Sequence, residues 1–212
     1  MKQALIQYKQ PLLICILIIF HTVGLFGMQS AQREYFLSLS PMNLLISVGC
    51  LLLSYNDFSF RRLFDMLVVG MAGYTVEYIG VHTGYLFGNY AYGPNLGVKV
   101  GEIPLMIGVN WIMLSFSTIA CVMHLKAPVM LKALLSAMLM VGLDFLIEPV
   151  AVKSGYWSWA GGNIPLFNYV CWLVISFVLH IYLIKRKTPV RNKLAIALFS
   201  ILVVFFGILN IL

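Results

Sequence analysis

Seven predominantly apolar runs of near-spanning length divide this chain, at about residues 11–28, 37–55, 63–82, 104–125, 128–148, 165–184 and 194–212. A helix needs about 20 such residues to cross a bilayer, and only helices or closed barrels can satisfy their backbone polar groups there. The expectation is therefore an all-α fold: a polytopic transmembrane helix bundle of about seven spans, forming one domain over residues 1–212. Charged residues make up only 10% of the chain, against about 25% in an ordinary soluble domain. Several runs open on proline, which suits a first helical turn. The second is the weakest, because Ser38, Ser40, Pro41 and Asn43 interrupt its start. The first is read as a retained helix, since residues 27–31 contain no clear small-residue cleavage site.

The formal charge of +7 does not point to nucleic acid, because the charges sit in short segments between apolar runs. They sort by side instead. With the N-terminus in the cytoplasm, the inner segments carry Lys2, Lys9, Arg61, Arg62, Lys126, Lys132, Lys185, Arg186, Lys187, Arg191 and Lys193. The outer loops carry Arg33, Lys99 and Lys153. That bias follows the positive-inside rule and places the chain in a cell inner membrane with its C-terminus outside. Cys15, Cys50, Cys121 and Cys171 all fall in apolar runs without paired spacing, which makes them core residues rather than a disulfide framework or a metal site.

Two outer loops, residues 84–103 and 149–164, are longer than connection requires and rich in Gly, Tyr and Trp. An interfacial aromatic belt would account for some of this. An internal repeat argues for more. Glu77 precedes Gly84-Tyr85 by seven residues, and Glu148 precedes Gly155-Tyr156 by the same distance. Each loop ends in Ile-Pro-Leu, at 103–105 and 164–166. Eight residues past each isoleucine stands a tryptophan, Trp111 and Trp172, with Asn110 and Asn168 nearby. The unit of helix, outer loop and helix thus occurs twice in the same orientation, as spans 3–4 and 5–6. Parallel repeats of this kind place a site at their interface.

The chain has seven carboxylates. Glu34, Asp57 and Glu102 fall in expected loops, and Asp65 is expected to pair with Arg61 and Arg62. Glu77, Asp144 and Glu148 fall in the outer half of the membrane, with Asp144 and Glu148 four apart on one helix face. A charged carboxylate at that depth costs about 2.5–3.5 kcal/mol. Desolvation and mutual repulsion favour the neutral form, so at least one of the three is expected to hold a proton at neutral pH. Hydrogen bonding between helices, to Asn110, Asn168 or Tyr169, is the structural alternative. A proton donor beside Tyr78, Tyr85, Trp111, Tyr156, Trp157, Trp159 and Trp172 suits carbocation chemistry, because aromatic faces stabilise cations. Protonation of an isoprenoid alkene is one such reaction. The four histidines lack ligand spacing. His82 lies close enough to Glu77 in sequence to position it or relay protons, with an interfacial role as the plainer reading.

These residues resemble a known family. The stretches EYIGVHTG at 77–84, FGNY at 87–90, IPL at 103–105 and NW at 110–111 are similar to those of the integral-membrane carotenoid biosynthesis family. So are DFLIEP at 144–149, GYWSW at 155–159 and IPLFNY at 164–169. The likeness covers about residues 63–185. It implies a carotenoid 1,2-hydratase, which adds water to the terminal double bond of an acyclic carotenoid end group and leaves a tertiary alcohol. It also implies no metal, no redox cofactor, and a lipophilic substrate taken from the bilayer. On that reading Glu77, Asp144 and Glu148 form the acid–base set. Tyr78, His82, Tyr85, Tyr90, Asn110, Trp111, Tyr156, Trp157, Trp159, Asn168 and Trp172 would contact substrate. A carotenoid cyclase would use the same protonation. A membrane prenyltransferase, which Asp144 and Glu148 evoke as a magnesium–diphosphate motif, and a transporter are the other readings. A retinal protein is set aside, because no lysine follows Lys193 in the last run.

Overall fold

The computed structural model describes residues 2–55, 59–188 and 192–212, with side chains from residue 8 onward within those ranges. Asp57 and Arg191, expected in loops on the inner side, lie outside the described residues, as does the side chain of Lys2. The described helices are α1 (Lys2–Met28), α2 (Arg33–Ser38), α3 (Ser40–Ser54), α4 (Phe60–Thr83), α5 (Leu105–Val122), α6 (Val129–Lys153), α7 (Leu166–Lys185) and α8 (Lys193–Ile211). Four short strands lie between them: β1 (Tyr90–Tyr92), β2 (Lys99–Val100) and β3 (Ile103–Pro104) before α5, and β4 (Trp157–Trp159) before α7. The chain is an all-α, multi-pass membrane bundle.

Six of the helices are long and apolar enough to span a bilayer. The second expected run divides instead. Helix α2 stops at Ser38, the chain turns at Leu39, and α3 restarts with a proline in its first turn. The 15 residues of α3 reach about 22 Å at 1.5 Å per residue, short of the roughly 30 Å hydrocarbon core. The polar residues that weakened this run in the sequence mark the break. Glu34, expected in a loop, is therefore in the first turn of α2, where a carboxylate complements the helix dipole.

Local signals set the other boundaries. The Ser59 hydroxyl accepts from the Arg62 backbone N–H at the start of α4, and α4 ends at Gly84 in the left-handed region, φ +67°. Helices α5 and α7 both begin after an extended proline, Pro104 and Pro165. Asn192 caps α8 by accepting from Leu194 and Ala195. Helix α5 is the most enclosed span and touches α3, α4, α6, α7 and α8, as expected of a helix that is apolar all round. It meets α4 closely where glycines face each other: a Cβ on Gly108 would lie 3.0 Å from the Gly70 carbonyl oxygen. Small residues allow such approach in membranes, where packing rather than water expulsion drives association.

The two ends of the bundle differ. At one end the Asp65 carboxylate, fully buried, accepts from Tyr182 Oη at 2.8 Å, Arg186 Nε at 2.8 Å and Thr188 Oγ1. The expected partner on the same helix is thus replaced by Arg186, which reaches across from the end of α7. Lys9 Nζ donates to the Tyr55 carbonyl at 2.9 Å, and Asn192 Nδ2 donates to Ser54 Oγ at 2.6 Å. These contacts bring the ends of α1, α3, α4, α7 and α8 to one face, with Lys9 and Arg186 among them. At the other end the two aromatic loops pair with each other. Strands β1 and β4 run antiparallel in the register Tyr90↔Trp159, Ala91↔Ser158 and Tyr92↔Trp157.

Substituting Gly108 by valine should force α4 and α5 apart and lower stability by about 1–3 kcal/mol, the usual penalty of overpacking. Reversible unfolding in mixed micelles measures this. A loss below about 0.5 kcal/mol would show that the close approach is dispensable.

Candidate active site

The repeat seen in the sequence becomes a pair of facing half-sites beneath the β1–β4 ribbon. Glu77 projects from α4, and Asp144 and Glu148 project from α6. All three carboxyls are buried. Glu77 Oε2 accepts from Tyr90 Oη at 2.5 Å and Tyr92 Oη at 2.8 Å, while its Oε1 accepts from Trp111 Nε1 at 3.2 Å. Glu148 Oε2 accepts from Trp157 Nε1 and Trp159 Nε1, each at 2.9 Å, and its Oε1 accepts from Asn168 Nδ2 at 3.0 Å. Each glutamate thus has two donors from its own loop strand and one from the helix after it. The alternation of side chains along a strand sends Tyr90 and Tyr92 to one side, and Trp157 and Trp159 likewise. Between the halves, Trp111 and Trp172 stack with ring centroids 4.2 Å apart and 6° between planes.

The symmetry breaks at two positions. Four residues before Glu148 stands Asp144, whereas four residues before Glu77 stands Gly73. A Cβ on Gly73 would lie 2.1 Å from Trp111 Cγ, so the indole occupies the space that a side chain would need. Four residues before Trp172 stands Asn168, whereas four residues before Trp111 stands Ile107. Asn168 Nδ2 reaches Asp144 Oδ2 at 3.3 Å as well as Glu148. The second half therefore has a carboxyl bridged to an amide where the first has a glycine and an aliphatic side chain. Pro149, inside α6, directly follows Glu148.

Glu77, Asp144 and Glu148 line one pocket of about 30 Å³ with Tyr90, Asn110, Trp111, Trp157, Trp159, Asn168 and Trp172. That volume is enough for a water molecule. Tyr156 stands outside it, bonded to Ser40 Oγ and lining a second cavity. Three other residues assigned to substrate by the resemblance lie elsewhere. Tyr78 and Tyr85 are exposed. His82 stacks on Tyr78 and lies within hydrogen-bond reach of its carbonyl, with Nε2 3.9 Å from Glu102. Helical rotation explains Tyr78 and His82: residues one and five past Glu77 point away from the side that faces α5, while Tyr85 lies in the loop beyond α4. Of the hydrogen-bonding alternatives, Asn168 meets the acids directly. Asn110 lines the pocket without a hydrogen bond to them, and Tyr169 lies outside the lining.

The sequence reading passed over Tyr92 and Phe87. Tyr92 follows Tyr90 by two, so an extended segment at 90–92 would have placed both phenols on one face. Phe87 lines the pocket and is buried against Trp172, with ring centroids 6.3 Å apart. The second cavity, about 280 Å³, was not foreseeable from spacing. It lies among α1, α3, α5, α6 and α8 and is mostly apolar, with His21, Asn43 and Ser47 in its wall. Ile107, Asn110, Ile147 and Trp157 line both spaces, so the cavity adjoins the acid pocket. On its far side Phe20, Val23 and Met42 are exposed on α1 and α3.

The carotenoid biosynthesis protein family matches residues 40–212, most of the chain. The chain belongs to this family. It is also similar to the bisanhydrobacterioruberin hydratase of Haloarcula japonica, with 29% identity over 121 residues, which cover 53% of the chain and 41% of that relative. The match thus spans about two-fifths of the relative's length. No solved structure matches the chain. The family match begins at the first residue of α3, so this member holds its three acids and both loop strands within the shared region, while α1 and α2 precede it.

The Tyr90 and Tyr92 phenols lie in the loop strand, where burial and the neighbouring Glu77 carboxylate hold them well above the usual tyrosine range. They stay protonated donors in the folded protein. In the unfolded chain they ionise near pH 10. A group whose folded value is raised stabilises fully below its unfolded value and loses that contribution as pH rises. Stability should therefore fall above about pH 10. The fall should be shallower in a Tyr90→Phe, Tyr92→Phe double variant, as followed by near-ultraviolet circular dichroism across an alkaline titration. An unchanged slope would mean that these phenols are not held by Glu77.

Proposed function

We propose that this protein is a carotenoid biosynthetic hydratase that adds water to the terminal 1,2 double bond of an acyclic carotenoid end group. One observation carries the reading: three carboxyl groups share a water-sized pocket, and that pocket adjoins an apolar cavity reaching the lipid-facing surface. The relative named as a hydratase supports the same reaction class. The substrate's chain lies in the cavity and its branched end reaches the acids past Ile107, Asn110 and Ile147.

Asp144 is the proton donor. Its Oδ1 has no hydrogen-bond partner among the described residues, whereas every oxygen of Glu77 and Glu148 has one. The alkene π pair takes the Asp144 proton, a C–H bond forms at the less substituted carbon, and a tertiary cation is left at the branched carbon. The carboxylates and the stacked faces of Trp111 and Trp172 stabilise that cation. A water held beside Asn110, which belongs to both spaces, donates its lone pair to form the C–O bond. The proton that water then loses returns to the carboxylate set, so the net change is one water added. Tyr90, Tyr92, Trp157, Trp159 and Asn168 hold the carboxyls in place. Tyr156 lines the chain's path.

A cyclase would need a second alkene of the same chain folded back against the cation, and the small volume beside the acids favours water. A prenyltransferase would need cations for a diphosphate. Among the described residues no lysine or arginine lines the pocket. The proposed setting is a cell inner membrane, with the basic end and the N-terminus in the cytoplasm and the acid pocket near the opposite surface.

Expression in a lycopene-producing host tests this reading through the product formed. The wild-type chain should yield tertiary alcohols rather than rings, and Glu77→Gln, Asp144→Asn and Glu148→Gln should each reduce conversion. The loss at Asp144 should be about 10²–10⁴-fold, the usual worth of a general acid. Full activity in all three variants would end the acid–base assignment, and ring-closed product would establish the cyclase.

A further inference from the structure

Three spanning helices end together beside α2, and the space between their ends takes no part in the proposed hydration. Helix α1 ends at Met28, α6 at Lys153 and α8 at Ile211. A cavity of about 150 Å³ lies there and shares no residue with the acid pocket. Its buried part includes Val150 and Leu209, and its polar part includes Gln29, Arg33, Lys153 and Ser154. That is room for far more than one water.

The charge here is unusual for this end of the chain. Of the 14 lysines and arginines, the loops on the ribbon side carry three, Arg33, Lys99 and Lys153. Lys99 Nζ donates to the Tyr92 carbonyl oxygen at 2.5 Å. The other two, 120 positions apart in the chain, meet at this cavity. Arg33 has one structural duty. Its Nη2 donates to the Lys153 carbonyl oxygen at 3.0 Å and to Ser154 Oγ at 3.4 Å, which covers the negative end of α6. That duty uses one nitrogen of the guanidinium. It does not account for the Lys153 ammonium, which has no hydrogen-bond or ion-pair partner among the described residues. A carboxylate also faces Arg33: Glu34 Oε1 lies 3.5 Å from Nη1, with the Glu34 side chain 80% exposed. A pair so exposed is worth little and yields to a better anion.

Two cations beside a buried apolar floor, at the end of three spans, match the headgroup of a lipid. A phosphodiester oxygen accepts from guanidinium and ammonium in charge-assisted bonds. Gln29 Nε2 and the Ser154 hydroxyl supply further donors, and the glycerol backbone covers Val150 and Leu209. Basic pockets between spanning helices bind anionic headgroups. We propose that Arg33 and Lys153 form a binding site for the phosphodiester of an anionic lipid at the ribbon end of the bundle. The bound lipid ties α2 to the ends of α1, α6 and α8. Arg33 precedes the residues matched by the family, so the site is not a property of the shared region alone. It stands independently of the chemistry assigned to the acids.

The test titrates the purified protein, in a neutral detergent, with dihexanoyl phosphatidylglycerol, dihexanoyl phosphatidylcholine or inorganic phosphate. Binding is read from the rise in the thermal unfolding midpoint. Phosphatidylglycerol should bind about tenfold more tightly than phosphatidylcholine, and added salt should weaken it. Lys153→Gln should weaken phosphatidylglycerol about tenfold, the worth of one charge-assisted bond. The same variant should leave the lipid-free midpoint unchanged, because the ammonium is unpaired. Arg33→Gln should weaken binding and also lower the lipid-free midpoint. Lys126→Gln, which removes an exposed cation at the opposite end, should bind as the parent does. No rise with phosphatidylglycerol, equal binding of the two lipids, or parental binding by Lys153→Gln would overturn the site. A rise with inorganic phosphate as large as that with phosphatidylglycerol would overturn the lipid and leave a free anion as the occupant.

Discussion

Three carboxyl groups held at membrane depth set the terms for everything around them. Bulk water is not available there to solvate a charge, so most of the oxygens take donors from the protein. The spanning helices supply few donors, because their own backbone is already paired. The two outer loops supply the rest. Strands β1 and β4 pair with each other, and their side chains reach down to Glu77 and Glu148 in matched sets of two phenols and two indoles. The aromatic residues of these loops thus include a working set that is more than a membrane-interface belt. The ribbon turns inward, and its geometry is what makes buried acids tolerable.

The internal repeat explains how such a pocket is assembled, and its failures bear on the proposed chemistry. Two like halves yield two glutamates, two loop strands, two prolines at helix starts and two stacked indoles. A fully symmetric pocket would contain only carboxyls that are saturated with donors. At Gly73 the first half gives its space to Trp111, whereas the second half holds Asp144 at the corresponding position, bridged to Glu148 through Asn168. The extra acid is the one with an unpaired oxygen. The two halves share their walls and differ at two helical positions, and the proposed proton donor stands at one of them.

What could be read in advance divides by the range of the interaction. Apolar runs report helices because the bilayer imposes length and composition on each segment by itself. The acids stood out because a carboxyl in such a run is rare. The repeat was visible as Glu77 with Trp111 and Glu148 with Trp172. Contacts between distant segments were not. Nothing local says that Tyr90 pairs with Trp159, that Asp65 takes Arg186 from α7 rather than an arginine on its own helix, or that α1 and α3 leave a cavity against α8. The division at Leu39 was half legible, since Ser38, Ser40 and Pro41 weakened the run without saying that a separate short helix would form. Tyr78, His82 and Tyr85 were drawn toward the site by nearness in sequence to Glu77; helical rotation sends Tyr78 and His82 to the surface, and Tyr85 lies in the loop past the end of α4.

On the proposed reading the bundle separates two tasks. Helices α4 to α7 carry the acids, the ribbon and the stacked indoles, and they fall wholly within the region shared by the family. The long apolar cavity draws its outer wall from α1, α2, α3 and α8, and part of that wall precedes the shared region. Chemistry that depends on a carboxyl oxygen placed within a few tenths of an ångström is held by paired strands and a dense core around α5. The proposed recognition of a flexible isoprenoid chain needs only apolar volume, and the cavity wall can change without disturbing the acids. Helix α3 is short, and Phe36 of α2 completes the cavity wall beside it. On the proposed reading, the cavity wall on one side of Asn110 can change without moving the acids on the other.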